Sequence, residues 1–277
     1  MDRILILDTY NLLWRAQVAF KSKPDELNPI DTRYVAVFNF FRSLRLLIEQ
    51  FQPHKCFLVL EGDPQFRRDA YPGYKANRLV KIASKTQKEV DRFRLSKNEA
   101  LNSVQHLPIT RVRHDASEAD DVVLTLVENL QGEDLTVVSN DSDLLQVPQL
   151  GHQVKIYNPI KKVFVKPPSH PVVAGKSLYG DTADNIPSLV GKKTALKMLA
   201  NPTLFEQWMS IEENRANFAI NRYLIELRSI PLDDLIVEEG QTNFHQLRKE
   251  FERMGFKSLI TPDAWMKFAT TFQCLEY

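Results

Sequence analysis

The sequence predicts an α/β protein with a mostly parallel central sheet flanked by helices. Short continuous apolar runs, Ile4-Leu5-Ile6-Leu7, Phe57-Leu58-Val59-Leu60 and Leu135-Thr136-Val137-Val138, have the length of strands buried on both faces. Longer stretches between them place apolar residues at helical spacing, as with Tyr34, Phe38, Phe41, Leu44 and Ile48. Each strand-like run also stops on acid: the first on Asp8, the second on Glu61, and the third, through Ser139 and Asn140, on Asp141 and Asp143. In open parallel sheets, ligands gather outside the carboxyl ends of the strands. The pattern therefore predicts a cluster of carboxylates at one sheet edge, where mutual repulsion calls for cations.

Taken in order, strand 1 is expected over residues 3–8. A helix follows from near Thr32 to Phe51, stopped by Pro53. Strand 2 covers 55–61. Residues 82–106 read as a broken helix with few large apolar residues for its length, which suits a segment standing off the core. Ser117 opens a helix running to about Leu130, with Asp120 three residues on, close to a capping box. Glu118, Asp120 and Asp121 share its first turn, where acids favour the helix dipole by about 0.3–1 kcal/mol each. Three acids in four positions exceed what a cap requires. Residues 153–157 read as a sheet neighbour, and Lys161, Lys162 and Lys166 as a loop with some strand. From Pro171 the pattern is mostly helical, with a turn-rich node at Gly180–Pro187 and an amphipathic helix opening at Gly191. These shifts predict an α/β domain over 1–174 and a helical region over 175–277.

The chain has 277 residues, 43% hydrophobic and 26% charged, as in an ordinary soluble globular protein. No apolar stretch approaches the roughly 20 residues needed to span a bilayer, and no signal pattern opens the chain. Cys56 and Cys274 are too few for a disulfide framework or a zinc site, so a reducing cytoplasmic setting is expected. The net charge of +1 hides an uneven distribution. Between Arg67 and Glu99 stand ten basic residues against four acidic ones, a surplus of six positive charges. A basic segment beside a carboxylate site suits an enzyme acting on a polyanion.

Nine carboxylates form the candidate site: Asp8, Glu61, Glu118, Asp120, Asp121, Asp141, Asp143, Asp181 and Asp184. Mg²⁺ takes oxygen ligands and keeps several waters, so a few carboxylates hold it. Two such ions about 3.5–4 Å apart can activate water and stabilise the leaving oxygen of a phosphodiester.

These residues, in this order, resemble the 5′-nuclease superfamily of flap endonucleases, bacteriophage 5′→3′ exonucleases and the N-terminal nuclease domains of DNA polymerase I. The matching segments are Phe66-Arg67, Tyr71-Pro72-Gly73-Tyr74-Lys75-Ala76-Asn77-Arg78 and Glu118-Ala119-Asp120-Asp121. Further on come Asn140-Asp141-Ser142-Asp143-Leu144, Gly180-Asp181, Asp184-Asn185-Ile186-Pro187 and Lys193-Thr194-Ala195-Leu196-Lys197. Glu252 to Leu259 resembles the family's closing helix. The resemblance implies a PIN-like nuclease fold with a helical arch over about 75–105 and a helix–turn–helix-type duplex grip.

It implies that Asp8, Glu61, Glu118 and Asp120 hold a first metal with Asp121 nearby, and that Asp141, Asp143, Asp181 and Asp184 hold a second. Asp8 and Asp120 join Lys75 and Arg78 as catalytic residues, the two cations facing the scissile phosphate. Arg67, Tyr74, Lys75, Arg78, Lys81 and Lys85, with Gly191, Lys192, Lys193 and Thr194 at the duplex grip, are implied to meet nucleic acid, Tyr74 by stacking or as a structural aromatic. The implied activity is 5′→3′ exonuclease and flap endonuclease cleavage of DNA and of RNA hybridised to DNA. Mg²⁺ is the expected cofactor, with Mn²⁺ as a substitute. The implied protein is a freestanding monomer of phage or bacterial type with no membrane role, and single-strand-binding or replication proteins are further candidate partners.

The chain departs from the family pattern at three places. Glu61 stands where aspartate is usual, and Thr9-Tyr10 follows Asp8 where glycine is common. The loop from Pro187 to Lys192 is shorter and has one glycine, Gly191, where the polymerase-domain pattern has several, which weakens the expectation of K⁺ at the duplex grip. Alternatives within and outside the class are a primer-removing exonuclease with little flap activity, an aspartyl phosphatase and a non-catalytic DNA-structure-binding protein. The phosphatase wants a second acid at position 10, which is Tyr10. The non-catalytic reading wants lost ligands, yet only Glu61 deviates and it remains acidic.

Overall fold

The computed structural model describes residues 1–18, 33–84 and 86–275. In chain order they form β1 (Arg3–Asp8), α1 (Thr9–Val18), α2 (Val35–Phe51), β2 (Lys55–Val59), α3 (Gln65–Ala70), α4 (Ala76–Ala83) and α5 (Gln87–Val104). There follow β3 (Thr110–Arg113), α6 (Ala119–Asn129), β4 (Asp134–Val138), α7 (Gln146–Gln149), β5 (Val154–Asn158), β6 (Val163–Val165) and α8 (Val172–Tyr179). The remainder is α9 (Lys192–Leu199), α10 (Pro202–Met209), α11 (Glu212–Ile225), β7 (Ile236–Glu238), α12 (Phe244–Arg253), α13 (Lys257–Ile260) and α14 (Pro262–Phe272).

The strands form one seven-stranded sheet in the order β6-β5-β4-β1-β2-β3-β7. β1 to β5 run parallel; β6 and β7 pair antiparallel at the two edges. β1 is central and Leu5 and Ile6 are fully buried, as the continuous apolar run requires. Its alternate residues serve opposite faces. Leu5 and Leu7 pack with α1 and α2, whereas Ile4 and Ile6 pack with α6.

Several elements differ from the sequence-based expectation. The first crossover contains α1, which the apolar pattern did not suggest. Asp8 is the reason: its Oδ1 accepts from the Asn11 N–H at 3.0 Å, so the residue read as a ligand is also the helix cap. β2 ends at Val59, before Glu61. β3 escaped notice because Thr110-Arg111-Val112-Arg113 has one buried side chain, Val112. The expected broken arch helix is α4 and α5.

The division at residue 175 is corrected by the same sheet. β7 pairs with β3, and Phe251, Phe256, Phe268 and Phe272 share a core with Phe40, Phe41 and Leu44 of α2. Phe41 and Phe251 meet edge to face at 4.9 Å. Only α8 to α11 build a smaller cluster of their own, around Leu178, Ala195, Met198 and Phe218. The stretch from Glu252 to Leu259 is two helices, α12 and α13, broken at Gly255 with φ +77°. No helix among the described residues is long and apolar enough to cross a membrane. Cys56 and Cys274 are both free thiols.

Candidate metal and nucleic-acid site

The chain passes from β1 to β2 and β3 on one side of the sheet, and places β4 and β5 on the other. The crevice at the carboxyl ends of β1 and β4 is therefore the switch point where ligands collect. Asp8 closes β1, and Ser139 to Asp143 follow β4. The Ser139 hydroxyl donates to Asp8 Oδ2 at 2.9 Å and accepts the Asp141 N–H at 3.0 Å. Asp141 Oδ1 in turn accepts the Asp143 N–H at 2.9 Å. One short hydrogen-bond chain thus ties both strand ends together.

Glu61 reaches this edge through a close backbone approach. A Cβ on Gly62 would lie 2.0 Å from the His114 carbonyl oxygen, so only glycine fits there. The Gly62 N–H donates to Ser117 O at 3.0 Å, and Glu61 Oε2 accepts the Ala119 N–H at 2.9 Å. That amide lies in the first turn of α6, where orphan N–H groups favour an anion.

The nine carboxylates fall into three electrostatic groups. Asp8, Glu61, Asp120 and Asp141 make no direct ion pair among the described residues. Burial raises the Asp8 carboxyl, with repulsion from Asp141 adding to it. Burial, together with repulsion from Asp141, Asp8, Glu61 and Asp143, pushes Asp120 well up. Glu61 is pushed up to about 7, mainly by burial, although Lys75 opposes the shift. Four carboxylates in mutual range and short of positive charge form an open negative bowl.

The second group is bridged by a lysine. Lys176 on α8 contacts Asp143 and donates to Asp181 Oδ2 at 2.7 Å. Burial outweighs this help at Asp143, whose carboxyl rises to about 7, while Lys176 holds Asp181 below the usual range against its own burial. Asp181 is presented by a tight turn in which its N–H and C=O pair with Ile186. The sequence reading passed over Lys176; its position five residues before Asp181, one helical turn and a cap away, was the available signal.

The third group is clamped by cations. Arg67, 1% exposed, donates to Glu118 at 2.7 Å and to both oxygens of Asp121 at 2.8 Å. Asp121 Oδ1 also accepts the Arg228 N–H at 2.9 Å. Glu118 further accepts from the Tyr74 hydroxyl at 2.7 Å and contacts Lys75. Burial alone would raise Glu118, but Lys75, Arg67 and these hydrogen bonds more than offset it, and the carboxyl lies below its ordinary range. Asp184 pairs with Arg78 at 2.7 Å and lies 3.5 Å from Lys75.

Three expectations are corrected here. Arg67 is buried behind the bowl and cannot meet a solvent-borne polyanion. Tyr74 is 3% exposed with its hydroxyl on Glu118, so it is the structural aromatic and not a base platform. Asp121, fully buried with both oxygens engaged, faces Arg67 rather than the bowl. Lys75 and Arg78 lie at the start of α4, both against Asp184, and Lys75 holds a left-handed φ of 56°. The Lys75 N–H donates to Asp184 O at 2.9 Å and the Asn185 side chain donates to Gly73 O at 2.7 Å, locking arch base to turn. The side chain of Lys81 and all of Lys85 lie outside the described residues. Gly191, Lys192, Lys193 and Thr194 are exposed at the first turn of α9.

The donor set suits hard divalent cations such as Mg²⁺ or Mn²⁺, because carboxylates supply the bowl and no soft ligand joins them. Among the described residues, no three His, Cys, Asp or Glu side chains make a ready cage for one ion. An ion held here would complete its shell with water.

The family model described as "5′-3′ exonuclease, N-terminal resolvase-like domain" matches residues 3–172. A 5′-3′ exonuclease of Mycobacterium tuberculosis is 28% identical over 239 residues, 76% of this chain and 74% of that protein. DNA polymerase I of Treponema pallidum is 31% identical over 212 residues, 71% of this chain. The chain spans only 20% of that polymerase and 33% of the thermostable polymerase of Thermus caldophilus. Among solved structures, flap endonuclease-1 from Methanococcus jannaschii superposes with a TM-score of 0.66 at 15% identity, covering 99% of this chain and 92% of that one. The bacteriophage T5 5′-exonuclease with bound divalent zinc ions gives 0.60 at 17% identity, covering 98% of each.

Proposed function

The chain belongs to the 5′-3′ exonuclease N-terminal resolvase-like domain family, and on that premise we propose that it is a divalent-metal-dependent 5′→3′ exonuclease and flap endonuclease. DNA with a free 5′ end or 5′ flap is its proposed substrate, and the RNA strand of an RNA–DNA hybrid a second one. The observation that carries the reading is the bowl of Asp8, Glu61, Asp120 and Asp141, short of positive charge and faced by Lys75 and Arg78. The exonuclease and flap endonuclease names of the relatives support it, as does the zinc-bound state of the phage enzyme.

Asp8, Glu61, Asp120 and Asp141 would hold Mg²⁺, with Asp143 and Asp181 completing a second position. Bound there, the ions supply an activated water and neutralise charge on the leaving oxygen. The protein's own groups do the rest. Ser139 and the Asn11 amide fix both oxygens of Asp8, so the carboxylate is oriented before anything binds. Arg67 and Tyr74 hold Glu118, which in turn restrains Lys75 at the rim. Lys75 and Arg78 then present an ammonium and a guanidinium fork to the phosphoryl oxygens on which charge develops. A substrate phosphate would compete with Asp184 for both cations. Lys192, Lys193 and the free N–H groups of α9 suit phosphates of a duplex, held without reading base identity.

The deciding experiment changes Asp141→Asn together with Asp143→Asn and follows a 5′-flap oligonucleotide in Mg²⁺. The reading expects binding to persist while product release is abolished. Full turnover by the double variant would remove the bowl from the mechanism.

A further inference from the structure

The two acids bridged by Lys176 are carried by different parts of the fold. Asp143 opens a short 3-10 turn after β4, and the turn is seated on the sheet: Leu144 and Val147 are fully buried with Leu135 and Val137. Asp181 belongs to the helical unit of α8 to α11, which has its own small core around Leu178 and Phe218. Lys176 touches both acids, but an ammonium on a flexible stem attracts without fixing a distance. Other groups must set how far apart the two carboxylates stand.

Two glutamines of α7, which follows the Asp143 turn, hold the helical unit from the sheet side. Gln146 is 2% exposed. Its Nε2 donates to Ile225 O at 3.0 Å and its Oε1 accepts the Leu227 N–H at 3.2 Å, catching the chain where α11 ends. Gln149 is exposed, yet it makes three bonds. Its Nε2 donates to Pro168 O at 3.1 Å and to His170 O at 2.8 Å, and its Oε1 accepts the Val172 N–H at 2.7 Å. That N–H is one of the orphan donors that open α8. α7 therefore grips the unit twice, at the start of its first helix and at the end of its last.

A third amide works inside the unit. Asn221 on α11, 1% exposed, donates to Ser177 O at 3.0 Å and to Pro187 O at 2.8 Å. These carbonyls stand on either side of Asp181, so Asn221 closes the loop that presents it. All the partners of the three amides are backbone groups. Such bonds are directional and limited in length, which is what a fixed separation needs.

We infer that Gln146, Gln149 and Asn221 are positioning residues: through α8 and α11 they hold the Asp181 turn at a set distance from Asp143. Their purpose rests on the metal reading above, in which these two acids complete the second ion position.

The test is hydrogen exchange of the full chain in EDTA, followed by mass spectrometry, on the wild type, Gln149→Ala, Gln146→Met and Asn221→Leu. The Asp181 turn is read from the peptide holding Asp181 and Ile186, whose N–H groups bond each other's carbonyls at 3.0 and 2.8 Å. Gln149→Ala removes an exposed side chain and is the variant least open to misfolding. It is expected to speed exchange at that turn about tenfold, as one or two lost hydrogen bonds allow, with the β1 peptide unchanged. Gln146→Met and Asn221→Leu, which keep size and lose the bonds, should also speed the turn. In Gln149→Ala, equal acceleration of β1 and the turn would indicate general destabilisation, and acceleration confined to residues 168–175 a local role. Either pattern, or an unchanged turn, overturns the proposal.

Calorimetric titration of the same proteins with Mn²⁺ reads the consequence. Gln149→Ala should weaken the weaker Mn²⁺ site about 10–100-fold, the range for groups that orient ligands, and change the tighter one less than about twofold. Wild-type affinities at both sites would remove the positioning role. A wild type that takes up no Mn²⁺ would sink the metal reading instead, and the exchange pattern in EDTA would still decide whether the amides hold the turn.

Discussion

Arg67 holds Asp121 by two parallel hydrogen bonds, Nη1 to Oδ2 and Nη2 to Oδ1, both 2.8 Å. With 1% of each side chain exposed, water reaches neither partner. The pair fixes the first turn of α6, and so fixes where Asp120, the next residue back, points. Removing one partner strands a buried charge, which typically costs about 3–5 kcal/mol. Arg67→Ala is therefore expected to lower stability by about that amount in urea unfolding, with little effect on nucleic-acid affinity of the folded fraction. A large affinity loss with unchanged stability would return Arg67 to the substrate surface.

Lys176 plays the corresponding part for Asp143 and Asp181. Without its ammonium, two poorly solvated carboxylates face each other uncompensated. Lys176→Ala should lower the melting temperature in EDTA by about 5–10 °C. Added Mg²⁺ should recover more of that loss in the variant than it adds to the wild type. Equal Mg²⁺ gains in both proteins would show that the ion and the lysine do not serve the same carboxylates.

The pH dependence follows from Glu61 and Asp143, each raised to about 7 from ordinary values of 4.5 and 3.8. Between those limits the metal-free folded state binds more protons than the unfolded chain. Stability from these groups is thus full below about pH 4 and is lost as pH rises through about 7. Divalent ions compete with the protons, so Mg²⁺ should raise the melting temperature more at pH 8 than at pH 5.5. Thermal melts across that range, with and without Mg²⁺, read both trends; a Mg²⁺ gain that shrinks with rising pH would contradict them.

Arg78 pairs with Asp184 through a side chain that is 49% exposed, so this contact is weak and exchangeable. Its role is expected at the reacting phosphate. Arg78→Ala should reduce kcat by about 10²–10³-fold, in the range for losing one donor to developing charge. Arg78→Lys should recover part of the rate, since it restores charge without the fork. Single-turnover cleavage of a 5′-flap substrate distinguishes this from a loss of binding alone.

Much of the fold was legible because β1, β2 and β4 are buried on both faces and therefore continuously apolar. β3 and β7 were not, because a short strand with one buried residue, as in β3, or none, as in β7, carries no periodic signal. At the site, residue type was legible but direction was not. Asp120 and Asp121 are adjacent in sequence and about 100° apart around α6, which sends one toward the bowl and the other to Arg67. Arg67 was misplaced, and Tyr74 left between two roles, for a related reason. An aromatic and a cation beside an acidic motif look alike whether they meet the ligand or brace the acids, and only burial separates the two roles.

The pairing of β7 with β3, and the seating of α12 and α14 on α2, has a consequence for synthesis. A nascent chain that has delivered every acid of the bowl still lacks one margin of its sheet and the aromatic cover over Phe41. The carboxylates can repel one another before the scaffold that forces them together is finished. Competence to bind metal should therefore arrive late in translation, with the last hydrophobic side chains and not with the last acid.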